Sequence, residues 1–453
     1  MSWEFRRNLW IQLTPHRLIA TPLVLGLAFL ASAKTGMLTI APETLFWLFA
    51  GIWGTRRAAD SIIEEVVGGT WHGQRMAAIG AWSMTWGKLF GATAFAWYGA
   101  MLSWLMYAAT TSLDLWTLPW VSLPSPGKLV SMLVFVLLAQ AVSLLVALIP
   151  LRRRRRGRQL ALGLAQAVGL LALLPFWIAD ADIPFIRAST VRWYGLPFPT
   201  QAFVLFSGAL FFAWALAAVH QLMRAELQYR DVTWRLPLFA LFLIAYFSGL
   251  VPAAYAATPL SPALLAVNGV AMLTLFYLAL LSSPGEPIAL LRWGRAVRQG
   301  HWRLVGELMP AWLPVSALVL AIGIAAMLRA ASLDDWLQVT RPSPFDDQRV
   351  AIWIAALLVF AARDCQVVLL FAVGPRPERA DINAVIWLAI LHGLVPVVLL
   401  AVGNGIDAGM TSAIPGATTP VTLAAGVAQI VGLALLLTYR LGRLQPAAQI
   451  NAH

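Results

Sequence analysis

The sequence predicts an all-α integral membrane protein of about 12 transmembrane helices, built as two six-helix halves with interfacial and coupling helices. Three observations lead there. Only 11% of the 453 residues are charged and 60% are hydrophobic, where a soluble domain carries about 25% charged residues; this chain has too little polar surface to stay in water. Apolar stretches of roughly bilayer length recur from end to end. Lys and Arg concentrate in alternate connections between those stretches, as basic residues do when they stay on the cytoplasmic side.

Taken in order, residues 3–13 place Trp3, Phe5, Leu9, Trp10 and Leu13 mostly on one helical side and Glu4, Arg7, Asn8 and Gln12 on the other. That pattern predicts a short helix lying in the membrane interface, with Ser2 available to cap its start. Apolar spans come next at approximately 18–33, 41–55, 84–111, 129–149, 160–179, 200–222, 236–257, 260–282, 308–330, 350–373, 382–402 and 420–439. Each is judged against the roughly 20 residues that cross a bilayer at about 1.5 Å per residue. The 21 Trp residues suit anchoring at headgroup level. No small-residue cleavage site lies after the first apolar run, so no removable leader is expected. The single cysteine, Cys365, excludes an intrachain disulfide and argues against a cysteine-built metal site.

The charges order the topology. With the N-terminus inside, every basic residue falls in an inside segment except Lys34, Lys128, Arg187, Arg192, Arg329, Arg341 and Arg349. This predicts an even number of spans, both termini cytoplasmic, and residence in the plasma membrane, a bacterial inner membrane being the expected setting. The run Arg152–Arg156 reads as a topology anchor touching anionic lipid. The formal charge of +12 does not point to nucleic acid, because no domain surrounds that run to present it. The acids Asp334, Asp335, Asp346 and Asp347 read as a solvated outside loop, since their spacing matches no calcium loop.

The two halves, 1–223 and 224–453, share an order of elements. Each has an amphipathic basic lead-in (3–17; 224–235), two spans, a long polar inside segment (56–88; 284–307) and four further spans. Each also has a Pro/Gly-rich outside stretch before its last span, at 182–199 and 403–420. Those stretches are candidate outer gates.

The most informative stretch runs from Asp60 to Gly91, polar and glycine-containing between two apolar spans. Ser61 with Glu64 three residues on is either a capping box at a helix start or part of a second span that runs on through Glu65. Gly68-Gly69 then breaks or bends the helix, and Thr70 is placed to cap the next one. Trp71, Met76, Ile79, Trp82 and Trp86 recur at roughly helical spacing and can lie against lipid or the bundle. His72, Gln74 and Arg75 face elsewhere. The expected product is a bent amphipathic elbow just under the membrane.

This stretch resembles the first cytoplasmic loop of ABC-2 type transporter permeases. The resemblance is carried by Glu65, Gly69-Thr70-Trp71, Gln74-Arg75 and Trp82, then Gly87-Lys88-Leu89 and Gly91. In that family a Glu and a Gly-Thr precede a coupling helix, and a Gly-Lys opens the third span. Where the family often has Leu-Leu or Leu-Arg, this chain has Gly73-Gln74-Arg75, and the second-half segment Glu286 to Glu307 lacks both Gly-Thr and Gly-Lys. The resemblance implies that Glu65, Gly69, Thr70, Gln74, Arg75 and Lys88 lie at or beside an element seated on a cytosolic ABC ATPase. That partner would hold ATP and Mg, and closure of the ATPase dimer would tilt the spans. The resemblance further implies an exporter, a non-catalytic permease with no cofactor or metal of its own. Apolar walls would suit an amphipathic or lipid-linked substrate.

The residues agree that energy comes from elsewhere. Gly87-Lys88 and Gly127-Lys128 each run directly into Leu, so neither forms a phosphate-cradling loop. The main rival reading is an ion-coupled carrier of twelve spans, which normally keeps ionisable residues at membrane depth. The apolar cores offer His392, with uncharged Asn268 and Gln140, and Arg363-Asp364 near an inner end, where a local ion pair is the expected role. A membrane transferase would need catalytic carboxylates or histidines near one interface. Asp180 and Asp182 are candidates, but no matching His or metal ligand accompanies them.

Overall fold

The computed structural model describes residues 3–35, 37, 39–77, 79–112, 126–149, 158–180, 190–229, 235–252, 258, 260–282, 287–330, 347–374, 380–402, 410–413 and 419–450. The Arg152–Arg156 run, Asp182, the loop acids up to Asp346 and most of 403–420 lie outside the described residues. Described helices dominate. Nine are long and apolar enough to cross a membrane: Pro15–Thr35, Pro126–Leu148, Leu162–Asp180, Thr200–Glu226, Pro262–Ser282, Trp312–Arg329, Val350–Ala372, Ile382–Leu399 and Pro420–Gly442. A tenth is added if Ala81–Gly91 and Ala94–Thr110, bent by 50° to one another, make one span.

Two expected spans are shorter than that measure. The stretch at 41–55 lies in one helical course made of α3 (Ile40–Phe46), a π-helical segment Trp47–Trp53 and α4 (Gly54–Val67). Its apolar part ends at Arg56-Arg57, before a bilayer has been crossed at full length. The stretch at 236–257 forms a 16-residue helix, Arg235–Leu250. An unanticipated β-hairpin, Thr190–Trp193 with Leu196–Pro199, replaces irregular loop at the end of 182–199. Its two-residue turn uses Tyr194 and Gly195, both with positive φ (51° and 78°), as a tight primed turn requires.

The chain divides into two compact units, Met1–Val191 with Pro197–Asp231, and Arg192–Leu196 with Val232–His453. The first contains α1 (Trp3–Gln12), α2 (Pro15–Thr35), α3, α4, α5 (Trp71–Met76), α6 (Ala81–Trp86), α7 (Ala94–Ser112), α8 (Pro126–Leu148), α9 (Arg158–Leu171), α10 (Leu174–Asp180) and α11 (Thr200–Glu226). Helix α8 is its centre, packed on α4, α9 and α11. Met132, Phe135, Val136, Leu144 and Leu148 are buried there beside Ala58 and Ile62 of α4 and Val219 and Met223 of α11.

Polar residues of α8 and α9 explain how the π-helical segment is tolerated. A π turn widens the helix and leaves carbonyls without their usual α-helical donors, and a bare carbonyl in an apolar interior costs several kcal/mol. Gln140 donates to the Ala50 carbonyl at 2.9 Å and accepts from the Trp97 indole at 2.9 Å. Gln166 donates to the Ile52 carbonyl at 3.0 Å, and Ser143 to that of Thr55 at 2.8 Å.

The second unit contains α12 (Arg235–Leu250), α13 (Pro262–Ser282), α14 (Pro287–Arg298), α15 (Trp302–Leu308), α16 (Trp312–Ala330), α17 (Asp347–Ala372), α18 (Ala380–Ala389), α19 (Val395–Val402) and α20 (Pro420–Ile450). A π-helical segment, Ile390–Leu394, joins α18 to α19. Helix α13 packs on α16, and α17 packs on α16 and α20. The hairpin turn is fixed to the end of α12: Trp193 donates to the Tyr246 carbonyl at 3.1 Å and the Tyr194 hydroxyl to that of Ala245 at 2.6 Å.

Candidate functional site

Helix α4 continues without a break through Ser61, Glu64 and Glu65 to Val67. Ser61 is therefore not a cap: its hydroxyl donates backward to the Ala58 carbonyl at 2.7 Å. The helix stops at Gly68-Gly69. Gly69 has φ of 72°, a left-handed conformation that costs a side-chain-bearing residue about 1–2 kcal/mol. The chain turns there into the six-residue elbow α5. Thr70 does not cap that helix; its exposed hydroxyl donates to the Glu65 carbonyl at 3.3 Å. Trp71 faces the core, while Met76 is 90% exposed.

The carboxylate of Glu65 reaches charges from α1 and from Lys88 of the segment Gly87–Gly91, and an amide from α5. Lys88 Nζ pairs with Glu65 Oε2, and with Glu4 Oε1 at 3.2 Å. Lys88 also donates to the Ser61 carbonyl at 3.3 Å. Arg7 donates to Glu65 Oε1 at 2.7 Å and to Glu4 Oε1 at 2.9 Å. Gln74 donates to Glu65 Oε1 at 2.7 Å. The side chains of Lys88 and Glu4 are 1% and 0% exposed. Two cations and two anions cancel, which is what allows charges to be enclosed at all.

Helix α1 supplies half of the charges of this cluster. Glu4 is sealed inward, while Trp10 of the same helix is 86% exposed. Close approach is possible because α1 lies over a glycine pair. A Cβ on Gly87 would sit 2.7 Å from Glu4 Cγ, and one on Gly91 3.0 Å from Asn8 Cβ. Asn8 donates to the Gly87 carbonyl at 3.2 Å.

The six residues implied by the resemblance thus divide. Glu65, Gln74 and Lys88 are brought together, with Gln74 buried rather than facing away. Gly69 forms the turn, and Thr70 and half-buried Arg75 lie on its other side with exposed His72 and Gly73. Glu4 and Arg7 are members that sequence reasoning misses, since there they show only as the polar face of an interfacial helix. Their i, i+3 spacing on one short helix is the available signal.

A second polar cluster lies at the far end of the first unit. Lys128 pairs with Glu43 at 3.0 Å and with Asp180 at 2.9 Å. Asp180, a candidate catalytic carboxylate by sequence, is here one arm of a clasp joining α3, α8 and α10.

The second unit builds a third cluster. Arg363 and Asp364 of α17 are buried, and Arg363 Nη2 meets Asp364 Oδ1 at 2.7 Å. Arg363 Nη1 also donates to the Thr411 carbonyl at 2.6 Å and to Gln429 Oε1 at 3.1 Å. The Tyr277 hydroxyl donates to Asp364 Oδ2 at 2.6 Å. His392 places Nε2 2.8 Å from Asp364 Oδ2 and 3.0 Å from Arg363 Nη2, with Nδ1 3.0 Å from Ser412 Oγ. Arg363-Asp364 is thus a local ion pair, and it recruits a histidine from 28 residues further along the chain. In α14 and α15, by contrast, Arg292, Arg295, Arg298 and Arg303 are exposed, and the ion pair among the described residues is Arg303–Glu307 at 3.6 Å.

No family model matches this sequence, and none of the curated proteins or solved structures compared with it matches either.

Proposed function

We propose that the chain is the transmembrane permease of an ABC-2 type transporter, an exporter driven by ATP hydrolysis in a separate cytosolic ABC ATPase. The carrying observation is the elbow at Gly68–Met76, whose anchor Glu65 is tied to α1 and to the start of the bent Ala81–Thr110 segment. A force applied to α5 would reach both elements through one carboxylate. On this reading Glu65, Gln74 and Lys88 transmit, while Gly69, Thr70, His72 and Arg75 form the face that meets the ATPase. The membrane would be crossed twelve times, the bent pair, residues 40–53 and α12 supplying the short crossings. Both termini would be cytoplasmic. The pathway would carry an amphipathic substrate.

The test is reconstitution of the chain with its cognate ABC ATPase in lipid. Glu65→Gln and Thr70→Ala are expected to insert normally and to lower transport or ATPase stimulation. Variants that assemble and pump at the wild-type rate would remove the coupling role. A second reading, an ion-coupled carrier, is favoured by one observation, the Arg363–Asp364–His392 cluster within otherwise apolar helices. Transport that proceeds on a proton gradient with no ATPase present would establish it.

A further inference from the structure

Residues 287–308 lie outside the candidate spans and outside the three polar clusters. They hold four Arg and one acid, Glu307. Helix α14 gives way at Gly300, whose φ is 71°. The Gly300 amide donates to the Val297 carbonyl at 3.2 Å and the His301 amide to that of Ala296 at 3.0 Å, the paired bonds of a glycine-terminated helix. The chain then enters α15, which packs on α14.

Within α14 the residue types separate by side. Arg292, Arg295 and Arg298 recur every third residue and are exposed, a spacing that sets them along one side of a helix. Ala296 is buried, and Leu290, Leu291 and Trp293 are half-buried. Arg at a helix C-terminus suits the macrodipole, which accounts for Arg295 and Arg298. It does not account for Arg292, more than a turn from that end, or for Arg303, 83% exposed on the next helix. Like charges at this spacing oppose helix formation. Among the described residues no carboxylate pairs with Arg292, Arg295 or Arg298, so the anion that offsets them comes from outside the chain.

The connections fix where that anion lies. Helix α13 ends at Ser282 and α16 begins at Trp312. Both are long and apolar enough to cross a membrane, and they pack on one another. Four residues separate α13 from α14, and three separate α15 from α16. At about 3.6 Å per residue neither connection reaches beyond about 18 Å, so the pair is held against the membrane face at which α13 ends. Phospholipid is the anion already present there. Guanidinium groups take phosphate in a forked geometry, and basic amphipathic helices beside a membrane are drawn to anionic headgroups. Trp302, 73% exposed, suits the same interface.

We propose that α14 and α15 form a docking surface for anionic phospholipid, with Arg292, Arg295 and Arg298 binding headgroup phosphates of the leaflet at the α13 end and Trp302 seated in the same interface. The binding is ionic and reversible, and no covalent bond is made or broken. It rests on neither the coupling role of the first unit nor any ATPase.

The experiment uses the full chain carrying Cys365→Ala and Gln299→Cys, with bimane on the new thiol. Gln299 is exposed and follows Arg295 by four residues, which places it on the Arg side. The protein is held in nanodiscs of phosphatidylcholine and phosphatidylglycerol in equal amounts, and one lipid or the other carries bromine near the top of its acyl chains, where it quenches the dye at short range. Brominated phosphatidylglycerol is expected to quench about twofold or more as strongly as brominated phosphatidylcholine, since each Arg near an anionic surface is worth about fivefold in partitioning. Raising salt to about 1 M, where the Debye length is about 3 Å, should bring the two values together. The combined variant Arg292→Gln, Arg295→Gln, Arg298→Gln should do so at low salt, and the salt arm carries the test if that variant does not fold. Equal quenching by the two lipids at low salt, a preference that survives in the combined variant, or no quenching by either lipid would overturn the proposal. The last result would leave these arginines to a soluble acidic partner.

Discussion

The Lys88 cluster of the first unit and the Arg363 cluster of the second are both neutral, both enclosed by apolar helices, and built for different ends. Around Lys88, two cations face two carboxylates, and the central pair is sealed from any exterior. Around Arg363, one cation faces one carboxylate, and the third member is an imidazole with a third of its side chain open. The first ties three elements through the carboxylate of Glu65, whereas the second adds an imidazole and a tyrosine hydroxyl to a single ion pair. Charge balance is common to both; the number of charged partners is what differs.

Breaking the first cluster gives the largest expected effect. Lys88→Met leaves Glu4 and Glu65 enclosed with Arg7 alone, and should cost about 3–5 kcal/mol of stability. Thermal unfolding in detergent would measure it. Glu65→Gln in the same chain should recover about 0.5–3 kcal/mol of that loss, because the two side chains act as one unit. Next comes Gly87→Ala, whose methyl group would meet Glu4 Cγ at 2.7 Å and force α1 away. Over-packing of this kind costs about 1–3 kcal/mol, and hydrogen exchange should show faster exchange confined to α1. Gly69→Ala is expected to cost about 1–2 kcal/mol through its positive φ. The smallest stability effect belongs to Arg75→Ala, within about 0.5 kcal/mol. If the elbow meets a motor, that variant should nevertheless lose transport, separating the surface that touches a partner from the latch behind it.

Much of the fold is legible in the sequence because its signals are one-dimensional. Span length and charge placement predict the long helices, and Gly68-Gly69 marks the end of α4. Three-dimensional facts are not legible in that way. Glu4 and Arg7 lie far in sequence from Glu65 and Lys88, and nothing in either segment names the other. His392 and Arg363-Asp364 each stand out in the sequence, but only helix packing shows that they form one network. The π-helical segments at Trp47–Trp53 and Ile390–Leu394 leave no sequence signature of their own; only packing shows Gln140 and Gln166 reaching carbonyls of the first. Among the described residues nine or ten helices reach spanning length, since charges at Arg56-Arg57 and the end of α12 at Leu250 shorten two apolar stretches.

The most direct test of the coupling account uses the single cysteine to advantage. Cys365→Ala gives a cysteine-free chain, and Thr70→Cys then places one thiol on the elbow. With a photoreactive cross-linker attached there, in membranes that also contain the cognate ABC ATPase, the account predicts a covalent adduct with that ATPase whose yield changes on adding ATP. Labelling of the same thiol by a membrane-impermeant reagent on the outside of intact cells, or transport that continues with no ATPase in the adduct, would contradict it.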